Sequence, residues 1–253
     1  MKGKSVIVTG ASSGIGYRTA LLFASRGSKV TACGRNEKAL GALRDECAEM
    51  EGEIRIHLSD LRESTQLDRL VGDTVDAFDG IDVLVNSAGI IGNGTIETTE
   101  TEDWDRMMDI NLRSVFQLTS LCVPYLKESE GAIVNVSSVA GPRAFPNVLA
   151  YCVSKAGLDQ LTRCAALELA EDKVRVNAVN PGVVVSNLHK RSGLDEEEYE
   201  AFLEHSKTTH PLGRVGQPEE IADLIYFLAS DNAGWITGGT FEIDGGRSLT
   251  CAR

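Results

Sequence analysis

Apolar positions along this chain follow two rhythms. Short strand-like runs occur at 5–9, 29–33, 53–58, 82–85, 132–137, 175–179 and 239–243, and those at 5–9, 82–85 and 132–137 are nearly continuous in apolar residues. Continuous rather than alternating runs are the mark of strands buried on both faces. Between them, apolar residues recur at helical spacing over about 14–26, 36–50, 63–78, 102–126, 149–170 and 217–229. Strands separated by single helices require right-handed crossovers, which generate a parallel sheet with helices on both faces. The expectation is an α/β fold: a doubly wound parallel sheet of about seven strands in a single domain over 1–253, with no linker or repeat.

Two segments depart from these rhythms. The helical stretch 102–126 carries Asn111 near its middle. An Asn side chain competes with the helix backbone, so Asn111 predicts a backbone irregularity or a buried polar role. Trp104, Met108, Ile110, Val115 and Phe116 read as core residues around it. The stretch 187–212 is polar, acidic at Asp195–Glu198, and expected to be partly helical. Its periodic apolar set Leu194, Tyr199, Phe202 and Leu203 predicts a lid, a substrate-loop insertion over a site. The acidic run itself reads as a solvated helix N-terminus.

Composition narrows the partners. The chain of 253 residues has a net charge of -12 and 42% hydrophobic residues. That balance describes an ordinary globular protein and argues against nucleic acid or an anionic membrane as the main partner. His189-Lys190-Arg191 is the only short basic cluster. Cysteines 33, 47, 122, 152, 164 and 251 form no CxxC pair and no metal-ligand spacing with the four histidines. They read as reduced thiols of a cytoplasmic-type protein, Cys152 being the one to watch for reactivity and a buried, inert thiol its favoured reading. The N-terminus runs straight into the first strand, which leaves no room for a signal peptide, and no apolar run reaches membrane-spanning length.

Candidate chemistry lies where strands end. After the first run comes Gly10-Ala11-Ser12-Ser13-Gly14-Ile15-Gly16, opening a helix. Glycines between strand and helix let a backbone approach a pyrophosphate held at the helix N-terminus, as a dinucleotide site requires. The same residues satisfy Gly-x-Ser-x-Gly, the nucleophile elbow of hydrolases. That elbow needs earlier strands to supply an oxyanion-hole amide, and only nine residues precede Gly10. The second strand ends in Gly34-Arg35-Asn36, with no acid for a ribose 2′-hydroxyl. Arg35 could instead pair with a 2′-phosphate, which favours NADP(H) over NAD(H). Asn86-Ser87-Ala88-Gly89 ends the fourth strand, where small residues admit a ligand. Tyr151 and Lys155 are spaced to share a helix face, and Ser138 ends the strand before them. A neighbouring ammonium favours the phenolate, so Lys155 is expected to lower the Tyr151 pKa.

Taken together, these motifs resemble the classical short-chain dehydrogenase/reductase family over essentially the whole chain. The matches are Thr9 to Gly16, Asn86 to Gly89, Asn111, Ser138, Tyr151-Cys152-Val153-Ser154-Lys155 and Pro181-Gly182; Ser87 stands where the family usually has Asn. The resemblance implies a Rossmann-type fold and hydride transfer between a nicotinamide and a carbonyl or secondary alcohol. It implies Tyr151 as general acid or base, with Lys155 tuning it and holding the nicotinamide ribose. Ser138 would polarise the carbonyl, and Asn111 would support a water-linked proton relay. Cofactor contacts would come from Gly10, Ser12, Ser13, Gly14, Ile15, Gly16 and Arg35. Further contacts would come from Asp60, Leu61, Asn86, Ala88, Gly89, Pro181, Gly182, Val184 and Ser186. A homotetramer is the implied assembly, through the helices around Asn111 and Tyr151 and the C-terminal strand.

The substrate is left open: a 3-oxoacyl thioester, a steroid or xenobiotic ketone, or a sugar or polyol. Expected pocket walls are 90–95, 141–148 and 186–212, with an apolar mouth of Pro142, Ala144, Phe145, Pro146 and Val148. Arg143 and His189 could meet an anionic tail, although facing water is the simpler expectation. A non-catalytic dinucleotide sensor is the rival reading; its mark would be loss of Tyr151 or Lys155, and both are present.

Overall fold

A computed structural model describes residues 1–250, so Cys251 lies outside the described residues. The apolar runs fold as β1 Ser5–Thr9, β2 Lys29–Gly34, β3 Glu53–Leu58, β4 Val83–Asn86, β5 Ala132–Val136, β6 Arg175–Pro181 and β7 Thr240–Ile243. They form one seven-stranded sheet in the order β3-β2-β1-β4-β5-β6-β7, every pair parallel. The Rossmann-type expectation holds.

Consecutive strand side chains point to opposite faces, and this splits the core in two. Val6, Val8, Val83 and Val85 enter one cluster, while Ile7 and Leu84 enter the other. The first cluster is covered by α1 Gly14–Ser25, α2 Glu37–Glu46 and, much later in the chain, α9 Pro218–Ala229, through Phe23, Leu40, Leu43, Ile221, Ile225 and Leu228. The second is covered by α3 Ser64–Phe78, α5 Ser114–Ser129 and α6 Leu149–Glu168. β1 pairs with both β2 and β4, so the winding reverses there. The crevice outside the carboxyl ends of these strands is where such sheets bind ligands.

The stretch expected as one helix over 102–126 is broken. α4 Thr101–Met108 passes into a π-helical turn, Asp109–Arg113, before α5 begins. Asn111 sits in that turn with no exposure, which is the irregularity its side chain predicts. Phe116, expected in the core, is 57% exposed, and Met107 rather than Met108 is the buried methionine. The π turn shifts the helical phase, so the apolar pattern read at one constant period points Phe116 the wrong way.

Residues 187–212 contain α7 Leu188–Arg191 and α8 Glu196–Thr209. Asp195 caps α8 by accepting from the Glu198 amide at 2.9 Å, and Glu198 accepts from the Asp195 amide at 3.0 Å. Tyr199 is buried, while Leu194, Phe202 and Leu203 are half-buried. No described helix is long and apolar enough to cross a membrane.

Candidate active site

The crevice is built from strand-end turns held by short polar contacts. Thr9 Oγ1 accepts from the amides of Ser87 and Ala88 at 3.0 and 3.1 Å, tying the turn after β4 to the end of β1. Gly10 has φ +67, and a Cβ there would meet the Ala88 backbone at 2.9 Å. A Cβ on Gly16 would lie 2.6 Å from the Gly10 carbonyl oxygen. Both positions exclude a side chain, and the backbone is thereby bared. Ser13 opens α1 without a side-chain cap, and Ser13, Gly14, Ile15 and Gly16 line a cavity of about 380 Å³. The free amides and positive dipole end of α1 make this a place for an anion. A dinucleotide pyrophosphate fits such a cradle.

A smaller recess continues from this cavity past Gly10 and is lined by Ser12, Arg35, Asp60 and Leu61. Arg62 clamps the Asp60 carboxylate at 2.6 Å and holds its pKa at about 2, well below the usual range. Arg35 is exposed at the rim. Ser12, the serine of the elbow motif, faces this recess, and no histidine lines it. A nucleophile without a base nearby does not make a hydrolase.

Deeper in the main cavity lie Ser138, Tyr151 and Lys155. Placement of Tyr151 and Lys155 one turn apart on α6 brings Lys155 Nζ to 5.8 Å from the Tyr151 ring centre, while Nζ donates to the Val136 carbonyl at 2.8 Å. Burial pushes the phenol up to about 12, and the nearby Ser138 hydroxyl pulls the other way. Burial also pushes the Lys155 ammonium down to about 8, against the pull of Asp159. The expectation that Lys155 lowers the Tyr151 pKa is therefore corrected: desolvation dominates this phenol, and the ammonium is committed to a strand carbonyl.

Asn111 and Asn86 do not line the cavity. Asn111 Oδ1 accepts from the Ile90 amide at 2.9 Å, and Nδ2 faces the Ile90 carbonyl at 2.9 Å and Ser154 Oγ at 3.0 Å. It fastens the turn after β4 to α6. Asn86 Nδ2 donates to Asn135 Oδ1 at 2.9 Å, and Asn135 Nδ2 donates to Thr162 Oγ1 at 2.9 Å, a buried polar ladder beneath the sheet. The other expected residues line one of the two spaces: Gly10, Ser12, Ser13, Gly14, Ile15, Gly16, Arg35, Asp60, Leu61, Ala88, Gly89, Pro181, Gly182, Val184 and Ser186.

Sequence reasoning missed the residues that fasten the roof. The Tyr199 hydroxyl donates to the Ser186 carbonyl at 2.9 Å and accepts from its amide at 3.0 Å. His210 Nε2 accepts from the Val183 amide at 3.1 Å, so Nδ1 carries the proton and donates to the Ser206 carbonyl at 2.7 Å. Asp159, one turn beyond Lys155, accepts from Asn180 at 3.0 Å. Its spacing of four from Lys155 was the available signal. Arg143 and His189 do not simply face water. Arg143 is half-buried and donates to the Ser248 carbonyl, and His189 lines the cavity, its ring centre 4.3 Å from that of Phe202 and tilted 46° to it. Burial lowers the His189 pKa. Cys152 is half-buried rather than fully buried and does not line the cavity.

Residues 10–248 match a family model described as enoyl-(acyl carrier protein) reductase. The chain is 40% identical over 247 residues to a Thermotoga maritima protein named 3-oxoacyl-(acyl-carrier-protein) reductase FabG, covering 97% of this chain and 98% of that one. A cyclohexanol dehydrogenase from Acinetobacter sp. is 36% identical, covering 96% and 94% of the two chains. A solved short-chain dehydrogenase/reductase of unknown function from Caenorhabditis elegans, crystallised with cofactor, superposes with a TM-score of 0.93 at 36% identity, covering 99% of this chain and 97% of that one.

Proposed function

This chain belongs to the short-chain dehydrogenase/reductase family and is an oxidoreductase. From that premise we propose that it moves hydride between NADP(H) and a carbonyl or secondary alcohol. The observation that carries the reading is the convergence of Ser138, Tyr151 and Lys155 on the cavity into which the glycine turn and the α1 N-terminus open. When bound, the nicotinamide supplies or accepts the hydride. The chain's own residues do the rest. Tyr151 holds the proton that passes to the substrate oxygen, and its high pKa keeps it protonated until that oxygen needs it. Ser138, which lines the same cavity, would share the substrate oxygen as a second donor. Lys155, which lines the same cavity, would hold the nicotinamide ribose when the cofactor is bound and would return a proton to Tyr151. Asn111 fixes the turn that carries Ile90 and would support a water-linked proton relay to Lys155.

Arg35, exposed at the rim of the adenosine recess, supports NADP(H) over NAD(H). Ile90, Ile91, Phe145, Pro146, Val148, and Phe202 of the lid favour a substrate with an apolar body, in keeping with a ketone or 3-oxoacyl chain rather than a sugar. A homotetramer is part of the reading, since Phe116 on α5 and Val153 on α6 leave apolar surface on the helices expected at the contacts. The test is NADPH and NADH consumption over ketones, 3-oxoacyl thioesters and keto sugars, run beside Tyr151→Phe. Turnover that vanishes in the variant supports the chemistry; turnover that survives overturns it.

A further inference from the structure

The basic cluster His189-Lys190-Arg191 has no place in the reaction described above. Two of its members are already engaged. His189 packs against the Phe202 ring, and Lys190 pairs with Glu196 at 2.7 Å and lies 4.7 Å over the Tyr199 ring. Arg191 is different. It is exposed at the C-terminus of α7, and among the described residues only its backbone is bonded, to Asn187.

Its position is specific. Arg191 lines both the main cavity and the adenosine recess, and the other residues common to both are Gly10, Ala88, Gly89 and Ile90. These mark the junction of the two spaces. Gly10 starts the turn that leads into the α1 N-terminus. Arg191, which has no acidic partner among the described residues, therefore stands at the junction across which a dinucleotide has to run. Arg35, the other exposed cation of the recess, lines the recess alone and does not line the main cavity.

We propose that Arg191 is a dinucleotide-binding residue supplied by the lid: it closes over the pyrophosphate from the side opposite the α1 N-terminus, so that cofactor binding draws the lid shut. The inference rests on the dinucleotide reading above. A guanidinium suits this task because its planar fork bonds two phosphate oxygens at once and keeps its charge at any working pH. Since Arg191 belongs to α7, and α8 follows directly, a bond at this residue restrains the whole roof.

The test is direct binding of NADPH and NADH to wild type and Arg191→Gln by fluorescence. It is combined with endoproteinase cleavage after glutamate, which reports on the Glu196–Glu200 stretch. The expected result is a weakening of both nucleotides by about ten-fold, equal for the two, as for one charge-assisted contact. Either nucleotide should also slow cleavage of the lid in wild type but not in the variant. Weakening of NADPH alone would assign Arg191 to the 2′-phosphate and overturn the pyrophosphate clamp. Unchanged affinity for both would overturn the proposal outright. Failure of wild type to bind either nucleotide would instead overturn the dinucleotide reading itself, and Arg191→Lys, which keeps charge without the fork, should recover only part of the loss.

Discussion

The floor and the roof of the cavity are made differently. The floor consists of the ends of β1, β4, β5 and β6 and the first turns of α1 and α6, and its Ser138, Tyr151 and Lys155 are each at most 8% exposed. Its geometry is over-determined: Thr9 pins the turn after β4, Asn111 pins Ile90, and Lys155 is bonded to Val136. The roof, α7 and α8, has an acidic, exposed outer side and is fastened to the floor through Tyr199 and His210. Reacting groups need sub-ångström placement, and packed strands supply it. A lid must open and close, so it draws on few contacts. On the function proposed above, the difference is a division of labour: chemistry below, admission and selection above.

The strongest test of this division is at Tyr151. Replacement by Phe removes the hydroxyl that the proposed function makes the proton donor while keeping the ring in its buried slot. Turnover should fall by about 10²- to 10⁴-fold with dinucleotide affinity nearly unchanged. A comparable loss of binding would mean that the floor tolerates less than its packing suggests.

Next in size is Gly10→Val. The position has φ +67 and no room before the Ala88 backbone, so a β-branched side chain must displace the turn after β4. Loss of nucleotide binding and a lower melting temperature, by about 1–3 kcal/mol of stability or more, are expected together. The same substitution at Gly193, whose φ is +114 but where a Cβ meets nothing, should cost strain in the roof alone and leave nucleotide affinity near wild type. Calorimetry and nucleotide titration on the pair separate crowding from strain.

Arg35→Asp should reverse nucleotide preference by more than ten-fold, because it exchanges attraction for repulsion of a 2′-phosphate at the recess. Paired NADPH and NADH titrations read it directly, and an unchanged ratio would remove Arg35 from the cofactor argument.

The floor also carries a pH signature. Lys155 falls from its ordinary 10.5 to about 8 in the folded protein. Between those values the unfolded chain holds a proton that the folded chain has released, so this residue makes stability rise with pH across that window. Below pH 8 both states are protonated and the cost of the buried ammonium is fully felt. Cys33, Cys47 and Tyr151, pushed up by burial, act in the opposite direction, but they do so equally in a Lys155→Met variant. The wild type should therefore gain on the variant by on the order of 2 kcal/mol between pH 8 and 10.5, followed by urea midpoints. A flat difference would mean that Lys155 is not desolvated as its 4% exposure implies.

The same floor and roof explain what the sequence made legible. The buried strands β1, β4 and β5 leave nearly continuous apolar runs, whereas β3, at the sheet edge, alternates Ile54, Ile56 and Leu58 with polar residues, and both patterns could be delimited to within two residues. The glycine turn, Ser138, Tyr151 and Lys155 could be read because backbone approach and i, i+4 spacing constrain residue type. Asn111 announced an irregularity, but not that its side chain would be spent on Ile90, nor that a π turn would rotate Phe116 outward. Burial depth was equally hidden: sequence spacing put a cation beside a phenol, whereas the environment sets both their pKa values. The roof was legible only as an amphipathic helix. Tyr199 and His210 act through long-range bonds to Ser186 and Val183, and no local pattern announces those.

The smallest effect expected repeats the chemistry of the largest. Tyr199→Phe deletes one hydroxyl, as Tyr151→Phe does, but in the roof. It removes the bonds to the Ser186 amide and carbonyl, at 3.0 and 2.9 Å, on a segment that water can reach. Each such bond contributes about 0.5–1.5 kcal/mol net, and solvent replaces much of it. The expected outcome is a KM raised by about three- to ten-fold, kcat within about two-fold of wild type, and faster cleavage after Glu196–Glu200. A fall in kcat matching that of Tyr151→Phe would show that the roof helps to place the reacting atoms, and the division between floor and roof would have to be abandoned. An unchanged KM with unchanged cleavage would place the fastening of the lid on His210 instead. One oxygen atom removed from each region thus weighs placement against admission on a common scale.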